Sequence, residues 1–200
     1  MPLVFFSTDY VFDGAAGPYA EDAATHPLSV YARSKLDGER ITGTLARHAI
    51  IRITNVFDVG RDQKNFLHRC VVHLRDRTPL VVPLDQLATP SSAPWLAEQT
   101  LALIERGALL GNEGPRILHV ACDDLVSRLE FARRVAALLG ADPGIVTGKP
   151  TAALHQAAPR PLRGGLRNDL LKRLLGVEAL PLDRALAEVL PRMRTVYDAR

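Results

Sequence analysis

The sequence predicts an α/β fold in which short parallel strands are covered by helices. Three observations carry that expectation. Leu3–Phe6 is a continuous apolar run, too short for a helix and rich in aromatic and β-branched residues, the pattern of a strand buried on both faces. Ser29 to about His48 reads as one long helix. A second strand-like run, Ala49–Thr54, follows it directly. Strand, helix and strand in that order form a βαβ unit, whose helix is the right-handed crossover that two parallel strands require.

The elements then follow in order. Thr8 stands where the first strand runs out, and in open α/β sheets the carboxyl ends of the strands form the ligand crevice. Taken alone, Ser7 and Thr8 equally fit hydroxyls that only satisfy backbone groups in a turn. Asp13–Tyr19 holds two glycines and a proline and reads as a surface loop. Pro27 precedes the long helix, where a missing amide donor is tolerated. Gly38 inside that helix costs about 1 kcal/mol relative to alanine and predicts a close approach by a neighbour. Asn55 and Asp58–Arg61 end the second strand, and Asn65–Phe66 opens a helix to about Arg77. A short extended piece at Leu80–Pro83, a loop at Asp85–Pro90 and a helix from Trp95 to Arg106 come next.

Arg116–Ala121 is the third strand, with His119 as a packed strand residue rather than a metal ligand. Ser127 caps an amphipathic helix, Arg128–Leu139, which Gly140 ends. Residues 141–168, rich in proline and glycine, read as irregular. Helices near Asn168–Leu175 and Leu182–Met193 finish the chain.

Composition narrows the function. With 47% hydrophobic and 24% charged residues over 200 positions, the chain is long enough for one large domain or two small ones and carries no disorder signature. Its net charge of +3 is unevenly spread: residues 1–50 hold four Lys or Arg against six Asp or Glu, residues 151–200 nine against five. Those basic residues are spaced along helices rather than clustered with aromatics, which argues against nucleic acid and for an anionic small molecule. Cys70 and Cys122 lie far apart without metal-ligand neighbours, so neither a disulfide nor a metal site is expected. No apolar run approaches the roughly 20 residues of a membrane span, and no export signal is visible, so a reducing cytoplasm is the expected compartment.

The chemistry concentrates near the front. Tyr31 and Lys35 are four residues apart on one helix face. An ammonium beside a phenol favours the phenolate, which predicts a tyrosine able to act as acid or base. With the Thr8 hydroxyl on the same substrate oxygen, the three residues form a set for carbonyl reduction or alcohol oxidation.

The string STDYVFDG at residues 7–14, then Pro18, Tyr19, Glu21 and Pro27, then Tyr31 through Lys35 to Gly38 and Glu39, resembles the dTDP-4-dehydrorhamnose reductase family of the extended short-chain dehydrogenase/reductases. The likeness continues through Arg52–Phe57, Asn65–Phe66, Asp85–Gln86 with Thr89–Pro90, Ile117–Ala121 and Arg160–Pro161. It implies the C-terminal part of a Rossmann-like doubly wound parallel sheet in residues 1–60 and 94–140, and a small mixed substrate-binding subdomain in 61–93 and 141–200.

The resemblance also implies roles. Tyr31 would be the catalytic acid, Lys35 its tuner and a contact to the nicotinamide ribose, and Thr8 the residue orienting the substrate carbonyl. Asp9, Tyr10, Asn65, Gln86 and Arg160 would bind a dTDP-linked 4-keto sugar. The implied cofactor is NADPH, or NADH, and a homodimer is compatible with the family. No serine follows Arg160–Pro161 at the family's usual place, and Asp58 stands where a glycine is common.

The family opens with a strand, a glycine-rich turn and a helix holding the cofactor pyrophosphate. No such glycine pattern occurs here, and Gly107, Gly111 and Gly114 follow a helix rather than a strand. A chain lacking the family's first strands, with an exposed edge at Leu3–Phe6 and doubtful cofactor binding, is therefore expected. Two other readings stay open: a non-catalytic sugar-nucleotide-binding or regulatory module, as the regulatory beta subunit of methionine adenosyltransferase is similar to these reductases, and a nucleotide-sugar epimerase or dehydratase.

Overall fold

The computed structural model describes residues 2–59, 65–107, 116–178 and 180–197. Gly60 and Arg61, expected among the residues that end the second strand, and Gly111 and Gly114 lie outside the described residues.

Strand β1 (Leu3–Thr8) runs into a single 3-10 turn, Asp9–Val11, and helix α1 (Val30–Gly43) then leads to β2 (His48–Ile53). Helix α2 (Phe66–Arg75), strands β3 (Leu80–Pro83) and β4 (Leu87–Ala88), helix α3 (Ala93–Glu105) and β5 (Ile117–His119) follow. The remainder comprises β6 (Val126–Ser127), α4 (Arg128–Leu139), β7 (Val146–Lys149), α5 (Asp169–Leu175) and α6 (Leu182–Tyr197). The main sheet has the order β1-β2-β5 and is parallel throughout, with Phe6 opposite Ile51 and Ile51 opposite Leu118. The predicted βαβ unit is therefore present.

Three expectations are corrected. Helix α1 ends at Gly43 rather than near His48, because His48 already pairs with Leu3 as the first residue of β2. Strand β1 is not buried on both faces: Leu3 and Phe6 are each 40% exposed, since β1 has a strand neighbour on one side only among the described residues. Residues 141–168 are not wholly irregular, because Val146–Lys149 pairs in parallel with Leu80–Pro83 and the β-branched Val146 and Thr147 sit in that strand. A second small pairing, Leu87–Ala88 antiparallel to Val126–Ser127, ties the Asp85–Pro90 loop to the start of α4.

The cap predictions hold at α4, where Ser127 accepts a hydrogen bond from the Glu130 amide and Gly140 adopts φ 64°, ψ 26°. The left-handed conformation is one that glycine enters without a Cβ clash. His119 is fully buried within β5 and faces the carbonyls of Arg167 and Tyr19, and burial pushes its pKa down to about 3. It is a neutral packed strand residue, as expected.

One hydrophobic core joins Ile51 and Leu118 of the main sheet, Leu67 of α2, Phe131 of α4, Val146 of β7, Leu171 of α5 and Leu186 of α6. Helix α4, expected with the Rossmann-like portion, packs on β3 and β7, while α5, expected with the subdomain, packs on β5 and α3. A smaller cluster of Val11, Phe12, Leu36, Ala121 and Leu166 lies under the turn after β1.

Backbone hydrogen bonds join the segments 14–19 and 163–167 beside that turn. The Gly17 and Tyr19 amides donate to the carbonyls of Arg163 and Gly165, and the Arg163 and Arg167 amides donate back to Gly14 and Tyr19. A Cβ on Gly17 would stand 2.1 Å from the Gly164 oxygen, so glycine is what lets the two segments zip. That zipper delivers Arg160 to the mouth of the main sheet.

Candidate active site

Thr8 is the last residue of β1 and is buried. Its hydroxyl accepts from the Tyr10 amide at 3.2 Å and donates to Asp9 Oδ1 at 3.3 Å, so it does cap the turn. It also lines a cavity of about 390 Å³ together with Tyr31, Tyr10, Asp9, Asn55, Arg128 and Arg160. Thr8 thus caps the turn and at the same time borders the cavity.

Tyr31 is the second residue of α1, two residues after the Ser29 cap, and is 52% exposed at the cavity. Its ring meets that of Tyr10 edge to face, with centroids 6.0 Å apart. Lys35 lies one turn on. Its Nζ donates to the Phe6 carbonyl at 2.7 Å and sits 4.8 Å from the centroid of the Phe5 ring, so the ammonium is held against the edge of β1.

Asp9 borders the same cavity, but its carboxylate is absorbed by the protein. Oδ2 accepts from the Thr54 hydroxyl at 2.8 Å and from the Gly165 amide at 3.5 Å. Burial pushes its pKa up to about 6 against the opposing pull of those hydrogen bonds. Asp9 thereby fastens the end of β2 and the Arg160–Leu166 segment to the end of β1.

A second cavity, of about 460 Å³, shares Asn55, Arg128 and Arg160 with the first and continues to Phe66, Arg69, Gln86 and Gln156. The two are one cleft with the tyrosine and threonine at one end. Arg128 donates to Asn55 Oδ1 at 2.7 Å and its guanidinium lies 4.6 Å from the Phe66 ring centroid. Burial lowers its pKa, with Arg160 adding positive charge nearby. Arg160 also donates to the Tyr10 hydroxyl at 3.4 Å. Among the described residues no carboxylate forms an ion pair with Arg69, Arg128 or Arg160, and Asp9 is the one carboxyl group beside the three arginines at the cleft, so its wall carries net positive charge suited to an anion.

Of the residues expected to bind substrate, Asp9, Tyr10, Gln86 and Arg160 line the cleft. Gln86 is buried and its Nε2 donates to Gln156 Oε1 at 2.9 Å. Asn65 instead caps α2: its Oδ1 accepts from the His68 amide at 2.9 Å, and its Nδ2 donates to the Asp58 carbonyl at 2.8 Å.

Arg128, Asn55, Arg69 and Gln156 are polar lining residues that the sequence did not single out. A signal for Arg128 was present. It is the first residue of α4, where the helix dipole disfavours a cation, so an arginine there asks for a reason outside the helix.

Among the described residues no cluster of His, Cys, Asp or Glu could hold a metal ion, and no helix is long and apolar enough to cross a membrane. For a nicotinamide cofactor the fit is partial. Tyr31 lines the cavity, and Lys35 lies one turn further along α1 with its ammonium on the Phe6 carbonyl, so a ribose and nicotinamide would have to approach along that helix face. The turn after β1 is the 3-10 turn Asp9–Val11 rather than a glycine-rich entry to a helix that could cradle a pyrophosphate.

A family model described as the RmlD substrate binding domain matches residues 1–195. A dTDP-4-dehydrorhamnose reductase of Mycobacterium tuberculosis is 36% identical over 166 residues, covering 79% of this chain and 52% of that protein. The crystal structure of a dTDP-4-dehydrorhamnose reductase from Clostridium acetobutylicum superimposes with a TM-score of 0.84 at 28% identity, covering 96% of this chain and 66% of that one. The same fold recurs in a dTDP-4-dehydrorhamnose reductase from Bacillus anthracis determined with NADP, at a TM-score of 0.83 and 24% identity, again covering 96% of this chain and 66% of that one. The chain spans from 52% to 65% of the length of the curated relatives it matches.

Proposed function

Because the chain belongs to the RmlD substrate binding domain family, we propose that it binds a dTDP-linked 4-keto sugar in the arginine-lined cleft and carries the proton-transfer half of its reduction by NAD(P)H. The single observation behind this reading is the continuity of the cleft: Thr8 and Tyr31 share one cavity with Arg128 and Arg160, and those two arginines also line its extension.

In this reading the diphosphate lies between Arg128, Arg160 and Arg69, none of which is ion-paired, and the base extends toward Phe66, Gln86 and Gln156. The sugar then reaches the other end. The Thr8 hydroxyl and the Tyr31 phenol converge on the keto oxygen, and Tyr31 gives its proton to the alkoxide that forms. Lys35, held by the Phe6 carbonyl, keeps a positive charge one turn from the phenol. The cofactor supplies the hydride when bound. Asp9 contacts the sugar less than it organises the walls, and Asn65 supports α2.

The keto carbon itself reports on this arrangement. In a dTDP-4-keto sugar carrying carbon-13 at that position, binding should move the carbonyl resonance downfield, and Tyr31→Phe or Thr8→Ala should remove most of that shift while the ligand stays bound. A bound ligand with the same shift in wild type and Tyr31→Phe would contradict the proton-donor role.

A further inference from the structure

Helix α1 carries Tyr31, yet few apolar side chains fix it to the sheet. Its buried residues are Ala32, Leu36, Glu39 and Thr42, of which only two are apolar. Apolar packing of so small a face tolerates sliding, because it has no directional component. One close steric contact and two directional hydrogen bonds instead fall on three successive residues of β1. Gly38 sits on the ring of Phe5, where a Cβ would approach Cζ to 2.5 Å. Lys35 Nζ binds the carbonyl of Phe6. The hydroxyl of Ser7, the residue before Thr8, donates to Glu39 Oε1.

Glu39 is the centre of this set. Its two oxygens take Nε and Nη2 of Arg52 on β2 at 2.9 and 2.8 Å, and the pair is only 3% and 5% exposed. Arg52 is held in turn by the Glu21 carbonyl at 3.3 Å and stacks 5.1 Å from the Phe12 ring centroid. A buried ion pair of this kind contributes little net stability over an apolar replacement, but it penalises every arrangement in which its partners are mismatched. Its consequence is register.

We propose that Glu39 is a positioning residue: through Ser7 and Arg52 it sets the axial register of α1 on β1 and β2, and so the placement of Tyr31 relative to Thr8. Its meaning for catalysis rests on the reading of the site above, whereas the placement itself does not. One slip of the helix would carry the phenol away from the cavity while leaving the rest of the core in place.

The Tyr10–Tyr31 ring contact reports that placement in the ligand-free protein. By NMR on the whole chain, Ser7→Ala, Arg52→Lys and the apolar double replacement Glu39→Leu with Arg52→Leu are compared with Leu36→Ala, which weakens the same interface without touching a directional bond. The proposal expects the Tyr10–Tyr31 nuclear Overhauser contact to weaken or vanish in Arg52→Lys and in the double replacement. Ser7→Ala should shift the Tyr31 ring resonances, and Leu36→Ala should preserve the contact. If the double replacement does not fold, Arg52→Lys carries the test alone. A folded Arg52→Lys protein with unchanged Tyr31 resonances would overturn the positioning role, as would loss of the contact in Leu36→Ala to the same degree. Failure of dTDP-sugar binding would leave this readout intact and count only against the reading of the cleft.

Discussion

The two ends of the cleft are built on different plans. The tyrosine end is local: Thr8 ends one strand, Tyr31 and Lys35 sit a turn apart on the next helix, and Tyr31 is 52% exposed. The arginine end is assembled from the exit of β2, the start of α2, the end of β3, the start of α4 and the segment around Arg160. Chemistry that needs two or three groups at fixed spacing can be written into a short stretch. Recognition of a long anion needs walls from many segments, and its charge must be left unpaired to be useful.

The largest expected effect comes from Asp9, which joins the two ends. Its carboxyl stays protonated up to about pH 6 in the fold, against 3.8 in the unfolded chain. Between those values the folded protein holds more protons, so Asp9's contribution to stability is full at low pH and is lost as the pH rises through the window, by roughly 3 kcal/mol. His119 acts in the opposite sense: held neutral to about 3 against an ordinary 6.5, it costs stability as the pH falls below 6.5. Chemical denaturation at several pH values should show the two nearly cancelling in wild type between pH 4 and 6, and Asp9→Asn should leave an uncompensated loss on acidification there.

Next in size is Arg128→Met. Removing the half-buried guanidinium should weaken dTDP binding by about 100-fold, on the order of 3 kcal/mol, whereas Tyr31→Phe should leave that affinity unchanged. Isothermal titration of both variants separates the two ends, and equal losses would erase the distinction. Gly38→Ala should act on the tyrosine end alone. The added methyl meets the Phe5 ring at 2.5 Å, so overpacking of about 1–3 kcal/mol outweighs the better helix propensity. Its melting temperature should fall while dTDP affinity holds. Smallest is Asn65→Ala, where loss of the α2 cap costs about 1 kcal/mol. If it also weakens dTDP binding markedly, Asn65 belongs to the cleft after all.

The same contrast explains what could be read from the sequence. The βαβ unit, the caps at Ser127 and Gly140, the packed His119 and the close approach at Gly38 were legible because each depends on neighbours in sequence or on a strong local preference. The placement of Thr8 at a strand end was legible for the same reason. Strand β7 was hidden because Val146–Lys149 contains Gly148 between proline-rich flanks, and only its pairing with β3 reveals it. The buried Glu39–Arg52 pair, 13 residues apart, and the Arg128–Asn55 bond, 73 residues apart, arise from tertiary contact alone. Asn65 was assigned to the ligand from its resemblance, while its two polar groups are spent on a helix start and the Asp58 carbonyl.

The central claim is that the two ends form one continuous nucleotide-sugar site, and an NMR titration of the chain with two ligands tests it most directly. Free dTDP should bind saturably and perturb the resonances of Arg128, Arg160 and Gln86 while leaving Thr8 and Tyr31 unmoved; a dTDP-4-keto sugar should perturb both sets together. The folded chain showing no saturable response to either ligand, or the sugar leaving Thr8 and Tyr31 untouched, would contradict it.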